Sequence, residues 1–548
     1  MNPMRTRTGL TRISNHWKNS PTLFPVIGKA WVGGGSLLVF IFLATGCASP
    51  RALDGKVKRE VERQAALEVG VTGETVADAA QAMKTPVFPA DESILLDVNS
   101  VLNVATDFSR NLQNRRDDLY RAGLSLFGTR RNFGIRMDGT IEYVLSGGDD
   151  QNDRQRAGLT LGANRILPTG GRIAVTGSQL WNEETSDGVS DENYSGSARL
   201  RLDQPLLSGA GYTASHESLL QAERDYVYAL RRFSLERQDF GINILREYYR
   251  LLGNRKVLEN TRTNYHQFVF LRQRSEALFQ VNRAPAIDVL RSQQEELSAY
   301  NRLISTEESY QIQVGRFLVL LGLPSSQAAE LADDIPEMRK VDLDEEAAVK
   351  LALDRRMDLH IVRDQVEDAR RKLQVARNLF LPEINAFGAA NWVTGESERF
   401  SGQRYDNSWQ AGVRAEIPLD RRTERDAVKN AELNVLAADR RLAEQIENVT
   451  LEVRESYSRL RSLTVSVDIQ LKNIEIAEKR ATNALLQFRN GRLSNRDVVE
   501  AANGLLDAQN AYVNALADYE IQRLTLLRQI GMLDVTREGV LVELKREG

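Results

Sequence analysis

The carboxyl half of this chain repeats its middle at a fixed offset, and that duplication limits what the chain can build. From Phe279 the sequence reads FQVNRAPAIDVLRSQQEELSAYNRL and closes on QIQVGRFLVLLGL; 209 positions later it reads FRNGRLSNRDVVEAANGLLDAQNAYVNAL and closes on EIQRLTLLRQIGM. Asp288 falls on Asp497, Tyr310 on Tyr519 and Gly322 on Gly531 without a gap. Upstream, Ala105, Leu112 and Phe133 fall on Ala352, Leu359 and Phe380 at an offset of 247, and Pro205 falls on Pro418 at 213. A repeat on this scale fixes architecture before any local feature does. The chain reads as two copies of one unit, 95–324 and 343–533, with a linker at 325–342 and a tail at 534–548. The drop in offset from 247 to 213 makes the first copy 34 residues longer between the Phe133 and Pro205 marks, about the size of a β-hairpin with its loops.

Each copy is read as a β region followed by a long helical hairpin. No proline lies between Pro205 and Pro285 or after Pro418, and residues 413–490 contain no glycine. Proline breaks helix interiors, so these stretches are free to run on. Leu442, Ile446, Val449, Val453, Tyr457, Leu460, Val467, Leu471 and Ile474 recur at spacings near three and four, an apolar helix seam. The spacing predicts helices over 213–281 and 423–490, each about 100 Å long at 1.5 Å per residue. A shorter helix then returns to about Leu321 or Ile530, where Gly322 and Gly531 act as stops.

Ahead of each long helix the period changes to two. In 133–145, Ile135, Met137, Ile141, Tyr143 and Leu145 share one face, and Arg136, Asp138, Thr140 and Glu142 the other. Residues 196–203, 383–394 and 408–417 are the other predicted strands, and the polar stretches 182–193 and 394–407 are read as exposed loops. Two strands per copy give four per chain, with 158–166 and 172–180 supplying either further strands or an outer hairpin. Strands with one apolar and one polar face suit a transmembrane barrel or a half-buried soluble sheet. In a membrane every strand edge must be paired, and four strands fall short of the roughly eight of the smallest barrels. Several chains must then share one barrel.

The amino terminus favours the membrane. Residues 1–46 carry Arg5, Arg7, Arg12, Lys18 and Lys29 and no acid, then the apolar run AWVGGGSLLVFIFLA, about 15 residues, short for a ~20-residue span. This is the pattern of a secretory signal, with Met4 as an alternative start. Cys47, the only cysteine, follows directly and excludes an intrachain disulfide. Residues 47–94 have no assignment. Beyond the signal the charge is 67 basic against 75 acidic residues, with no clustered basic surface of the kind nucleic acid requires. No nucleophile elbow, Walker loop or metal-spaced His and Cys set is present, so no enzyme, cofactor or metal site is expected, and His216, His266 and His360 are read as packing or surface residues.

Together these elements resemble the TolC-type outer-membrane efflux factors. The resemblance rests on Gln204-Pro-Leu-Leu207 and Ile417-Pro-Leu419 before the long helices, and on Ala352-Leu-Asp-Arg-Arg-Met-Asp-Leu359 opening the second copy. Leu381-Pro-Glu383, Phe488-Arg-Asn-Gly491 with Asp497 and Glu500, and Leu321-Gly322-Leu323-Pro324 complete it, over residues 95–533. Leu-Ala-Thr-Gly-Cys47 likewise resembles a bacterial lipobox, with Leu43 one position early, which implies lipid attachment at Cys47; the alternative is a free thiol at an ordinary signal junction. Ala48 at the second mature position then implies delivery to the outer membrane.

The family implies a homotrimer with a shared twelve-stranded membrane barrel and a long periplasmic α-helical barrel. It further implies a tip that opens when a periplasmic adaptor and an inner-membrane transporter, proton-driven or ABC, dock. Asp497 and Glu500 match positions that line the pore constriction, Phe488 its bulky aromatic, and Asp288 is the first-copy counterpart of Asp497. The family's usual basic residue two places past the tip glycine is Leu493 here, beside Arg492, which removes the expected partner of an interhelical ion pair. A competing reading makes Ser494-Asn-Arg-Asp497 a helix capping box and Asp288 a first-turn carboxylate behind Pro285. Drug efflux is the default cargo, with metal-ion efflux and type I protein secretion as alternatives; a lipid-anchored envelope spacer is a reading of a different class.

Overall fold

The computed structural model describes residues 94–542, apart from 149–150, 187–188, 283, 333–337, 340, 342, 395–404, 491 and 537–538. The signal segment, Cys47 and nearly all of 47–94 lie outside the described residues. The chain begins with β1 (Ile94–Leu96), α1 (Val98–Phe108) and α2 (Arg110–Phe133), then four strands: β2 (Arg136–Gly148), β3 (Gln151–Ile166), β4 (Arg172–Ser186) and β5 (Val189–Pro205). After α3 (Tyr212–Ser215) come the hairpin helices α4 (Glu217–Gln280) and α5 (Ala286–Leu321), and β6 (Ala329–Leu331). The second copy is α6 (Glu345–Arg355), α7 (Met357–Leu379), β7 (Glu383–Thr394), β8 (Tyr405–Glu416), α8 (Arg422–Arg489) and α9 (Asn495–Gln529), followed by the small hairpin β9 (Leu533–Thr536) and β10 (Gly539–Val542).

The mainly helical fold with long hairpins and a sheet is the expected class. Three details differ from the sequence reading. The first long helix is interrupted at His216, where the ring is buried between Phe133 (4.7 Å) and Tyr212 (4.6 Å) and its Nδ1 is 2.8 Å from the Ser215 hydroxyl. Burial holds this imidazole below its usual pKa. The seam of α8 buries Val449, Val453, Leu460 and Val467, but Leu471 is exposed, because the helix turns that position off the packed face. The third difference is the strand count.

Six strands, not four, form one antiparallel sheet in the order β2-β3-β4-β5-β7-β8. The insertion in the first copy supplies two further strands of this sheet. Within the polar stretch 182–193, expected as a loop, residues 182–186 continue the pairing of β4 with 189–193 of β5, Asn182 opposite Asn193 and Glu184 opposite Asp191. Its residues are polar because the strands, 15 and 17 residues long, outrun the roughly 9–11 needed to cross a membrane.

Register sorts the sheet into two faces. Ile141 lies opposite Leu159, Leu161 opposite Gly177, Val175 opposite Leu200, and Leu200 opposite Ala390, all on one face, interrupted by Gln179. Across that face Tyr143, Ala157, Trp181 and Tyr194 form one lateral row, and Trp392 and Trp409 stand on the same side of β7 and β8. A row of amphipathic aromatics bordering an apolar band is what a barrel presents at the lipid–water boundary. The opposite face is polar and cross-linked: Arg154 donates to Glu184 (3.0 Å), Arg156 to Asn182 (3.0 Å) and Arg199 to Asn391 (2.7 Å).

The main core sits mid-way along the helices. Ala105 and Ala352, like Leu112 and Leu359, are buried at equivalent places in the two copies. Gly322 and Gly531 both adopt positive φ, +92° and +71°, a conformation natural only to glycine. Each packs on the short break between the first two helices of its own copy: a Cβ on Gly322 would lie 2.1 Å from the Phe108 carbonyl oxygen, and one on Gly531 2.9 Å from Arg355 Cβ. Beside the second break Arg356, 6% exposed, binds Asp358 (2.6 Å) and Glu452 on α8 (2.6 Å).

Candidate functional site at the hairpin tips

Both helical hairpins turn at the same end of the molecule. The α4–α5 turn runs through Asn282 at φ 55°, a value Asn tolerates better than other side chains, and Pro285 starts α5 in extended geometry. The α8–α9 turn passes Asn490 and restarts at Ser494. Beneath both turns Phe268, Leu271, Ala299, Ala484, Val498, Val499 and Ala501 form a separate apolar cluster that binds the two tips together.

Asp497 occupies the third position of a complete capping box. Its Oδ2 accepts from the Ser494 backbone N–H (3.0 Å) and hydroxyl (2.7 Å). These hydrogen bonds hold the carboxyl below the usual aspartate pKa. Glu500, one turn on, accepts from Arg480 of α8 at 2.6 Å, both side chains being well exposed. Arg480 thus gives an acidic tip residue a cation from within the same hairpin, which sequence reasoning about Leu493 and Arg492 did not identify. Phe488 is half-buried against the tip cluster, with the Arg274 guanidinium 5.8 Å from its ring centre, whereas its first-copy counterpart Phe279 is 44% exposed. Asp288 sits in the first turn of α5, 3.7 Å from Arg291.

The structure brings Asp288 and Asp497 to neighbouring turns through a residue the sequence reading passed over. Asn495, fully buried, donates from Nδ2 to the Asp288 carbonyl (3.0 Å) and lies 3.5 Å from the Ser275 hydroxyl. Its first-copy equivalent is Ala286, so a polar-for-apolar difference within the repeat was the available signal. The tips therefore combine apolar packing with short, exposed charge pairs. Exposed pairs are individually weak, about 0–1 kcal/mol, and each of these joins residues of a single hairpin, whereas the apolar cluster and the Asn495 hydrogen bond join one hairpin to the other.

Comparison with known proteins agrees with this architecture. Residues 348–532 match the family model for outer membrane efflux proteins, which covers most of the second copy. The chain is 23% identical over 395 residues to the outer membrane protein TolC of Vibrio cholerae serotype O1, spanning 70% of this chain and 86% of the relative. It is 22% identical over 342 residues to the alkaline protease secretion protein AprF of Pseudomonas aeruginosa, spanning 61% and 69%. Among solved structures, CusC superposes with a TM-score of 0.61 at 13% identity, over 82% of this chain and 95% of CusC. With the duplicated unit, the long hairpins and the sheet, these matches place an outer membrane efflux protein domain at residues 348–532 and show that the chain resembles the TolC-type outer-membrane channels in fold over most of its length.

Proposed function

We propose that the chain is the outer-membrane exit duct of a tripartite export system. It conducts cargo passively from periplasm to exterior as a homotrimer. The observation that supports this best is the continuity of roughly 100-Å helical hairpins with an antiparallel sheet whose one face is apolar and bordered by aromatics. Energy must come from a docked partner, an inner-membrane transporter reached through a periplasmic adaptor. Drug-sized compounds are the default cargo; the protein-secretion name of AprF keeps secreted protein as the second reading.

In this reading residues 1–46 are a lipoprotein signal and Cys47 carries the lipid on the outer-membrane face toward the periplasm. Cells fed radiolabelled palmitate should label the wild type and not Cys47→Ser; a labelled Cys47→Ser protein would remove the anchor assignment. The pore constriction is assigned to Asp497, Glu500, Phe488 and Asp288, with the acids attracting cations as one ring per position.

Single-channel recording of the purified protein in a planar bilayer tests duct and constriction together. A small cation-selective conductance is expected, and Asp497→Ala/Glu500→Ala should lose the selectivity. Conductance unchanged by the mutations would keep the duct and leave Asp497 a helix cap and Glu500 the partner of Arg480. A folded, inserted protein with no conductance, even with its adaptor, would favour the envelope spacer.

A further inference from the structure

The six-stranded sheet leaves two edges, β2 and β8, and among the described residues neither edge has a partner strand. Both edges carry apolar side chains into the open, Ile141 at 85% and Trp409 at 81% exposure. An unpaired edge cannot stand in hydrocarbon, and six strands are too few to close on themselves. The occupant must supply a complementary edge, and a second copy of this chain does so. Strand β2 leaves α2 and β8 leads into α8, so with strands alternating in direction the two edges run antiparallel when copies are placed side by side.

We propose that β8 of one copy pairs with β2 of the next, with Arg136 opposite Glu416 and Asp138 opposite Arg414, so that three copies close an eighteen-stranded barrel. This inference rests on the duct reading above; it adds the seam, its register and the width of the exit. Six strands from each of three copies give eighteen in place of the twelve that the family resemblance implies. The register follows from charge. Opposite charges facing across strands stabilise a pair and like charges oppose it. Sliding the seam by two residues sets Arg136 against Arg414 in one direction and Asp138 against Glu416 in the other. A slip of one residue would turn the apolar face of β2 to the polar side of β8. The proposed register also sets Tyr143 opposite Trp409, continuing the aromatic row across the seam. Barrel diameter grows roughly linearly with strand number, and about 16–18 strands is where porins enclose an open aqueous channel. The exit is therefore roughly one and a half times as wide as a twelve-stranded one.

Paired cysteines test the seam in the full-length protein in outer membranes. Ile141→Cys/Ala411→Cys, facing each other in this register, should give covalent dimers and trimers on oxidation. Each single variant, which keeps Cys47, should give none. An assembled oligomer in which this pair does not crosslink overturns the proposal. So does a crosslink from Val175→Cys on β4 to Ala411→Cys or Val413→Cys, which would place the β2–β3 hairpin outside the wall. Charge reversal checks the register separately. Arg414→Asp should lower the temperature at which the oligomer dissociates in detergent, and adding Asp138→Arg should restore it; absence of rescue overturns the register. Wild-type conductance separates the two ideas: a conducting protein with an uncrosslinked seam sinks the strand count alone, and no channel at all sinks both.

Discussion

Gly322→Ala should abolish accumulation of the folded protein, while the matched change Gly531→Ala should be tolerated better. Both glycines have positive φ, and an alanine held there costs roughly 1–3 kcal/mol in backbone strain. The difference lies in what the new methyl meets. At Gly322 it would overlap the Phe108 carbonyl oxygen at 2.1 Å, backbone atoms that move only if the α1–α2 break moves. Overpacking of this kind adds about 1–3 kcal/mol, which brings the total to a large part of a typical domain's stability. At Gly531 the nearest atom is the Arg355 Cβ at 2.9 Å and the nearest backbone atom lies at 3.4 Å, so a displacement of a few tenths of an ångström relieves an overlap that is far deeper at Gly322. Thermal unfolding in detergent, with outer-membrane abundance measured alongside, checks the order. Equal loss at the two sites would mean that the dihedral alone decides.

The second large effect is expected at Arg356. Its guanidinium is almost wholly buried and joins Asp358 to Glu452, tying the start of α7 to α8. Arg356→Ala leaves Asp358 with its charge partner gone. Breaking a buried pair costs about 3–5 kcal/mol, and the solvent that reaches Glu452 places this one near the lower end. The pH dependence follows from Asp358. Burial by itself would raise its pKa, but the hydrogen bonds and charge of Arg356 outweigh burial and hold it below the ordinary 3.8. A depressed carboxyl contributes stability that is present above the unfolded pKa and lost as pH falls from about 4 through the folded value. The wild type should therefore lose stability more steeply than Arg356→Ala in that acidic window. Parallel slopes in acid unfolding curves would show that the pair carries no pH-linked stability.

Much of this architecture was legible because its physics is local. A run free of proline and glycine with an apolar seam leaves a chain little choice but a long helix, and α8 begins and ends within one residue of the predicted 423–490. Strand β7 matches its predicted limits for a similar reason: Pro382 precedes it, and the polar Gly395-Glu-Ser-Glu run follows. What escaped depends on partners distant in sequence. The size of the insertion could be read as a hairpin, but whether a hairpin joins the wall is decided by the backbone it pairs with. Polar strand ends such as Asn182 and Asn193 look like loops until a neighbouring strand is placed beside them. At the tips, Ser494-x-x-Asp497 was visible as a capping pattern, being local. The Arg480–Glu500 contact crosses a turn, and the bridge from Asn495 to Asp288 crosses between copies, so neither has a short-range signature.

The sheet of each chain stands on four helices, α2, α4, α7 and α8, and the two layers can be compared as lengths of wall. Strands spaced about 4.8 Å apart and tilted by about 40° each cover roughly 6 Å of perimeter, so six span about 37 Å. Four helices packed at about 9 Å spacing span about 36 Å. Four strands would span only about 25 Å on the same spacing and would force a shoulder where helix passes into strand. With six, the proposed assembly keeps its perimeter through the junction, and cargo that fits the helical shaft would meet no second narrowing on its way out.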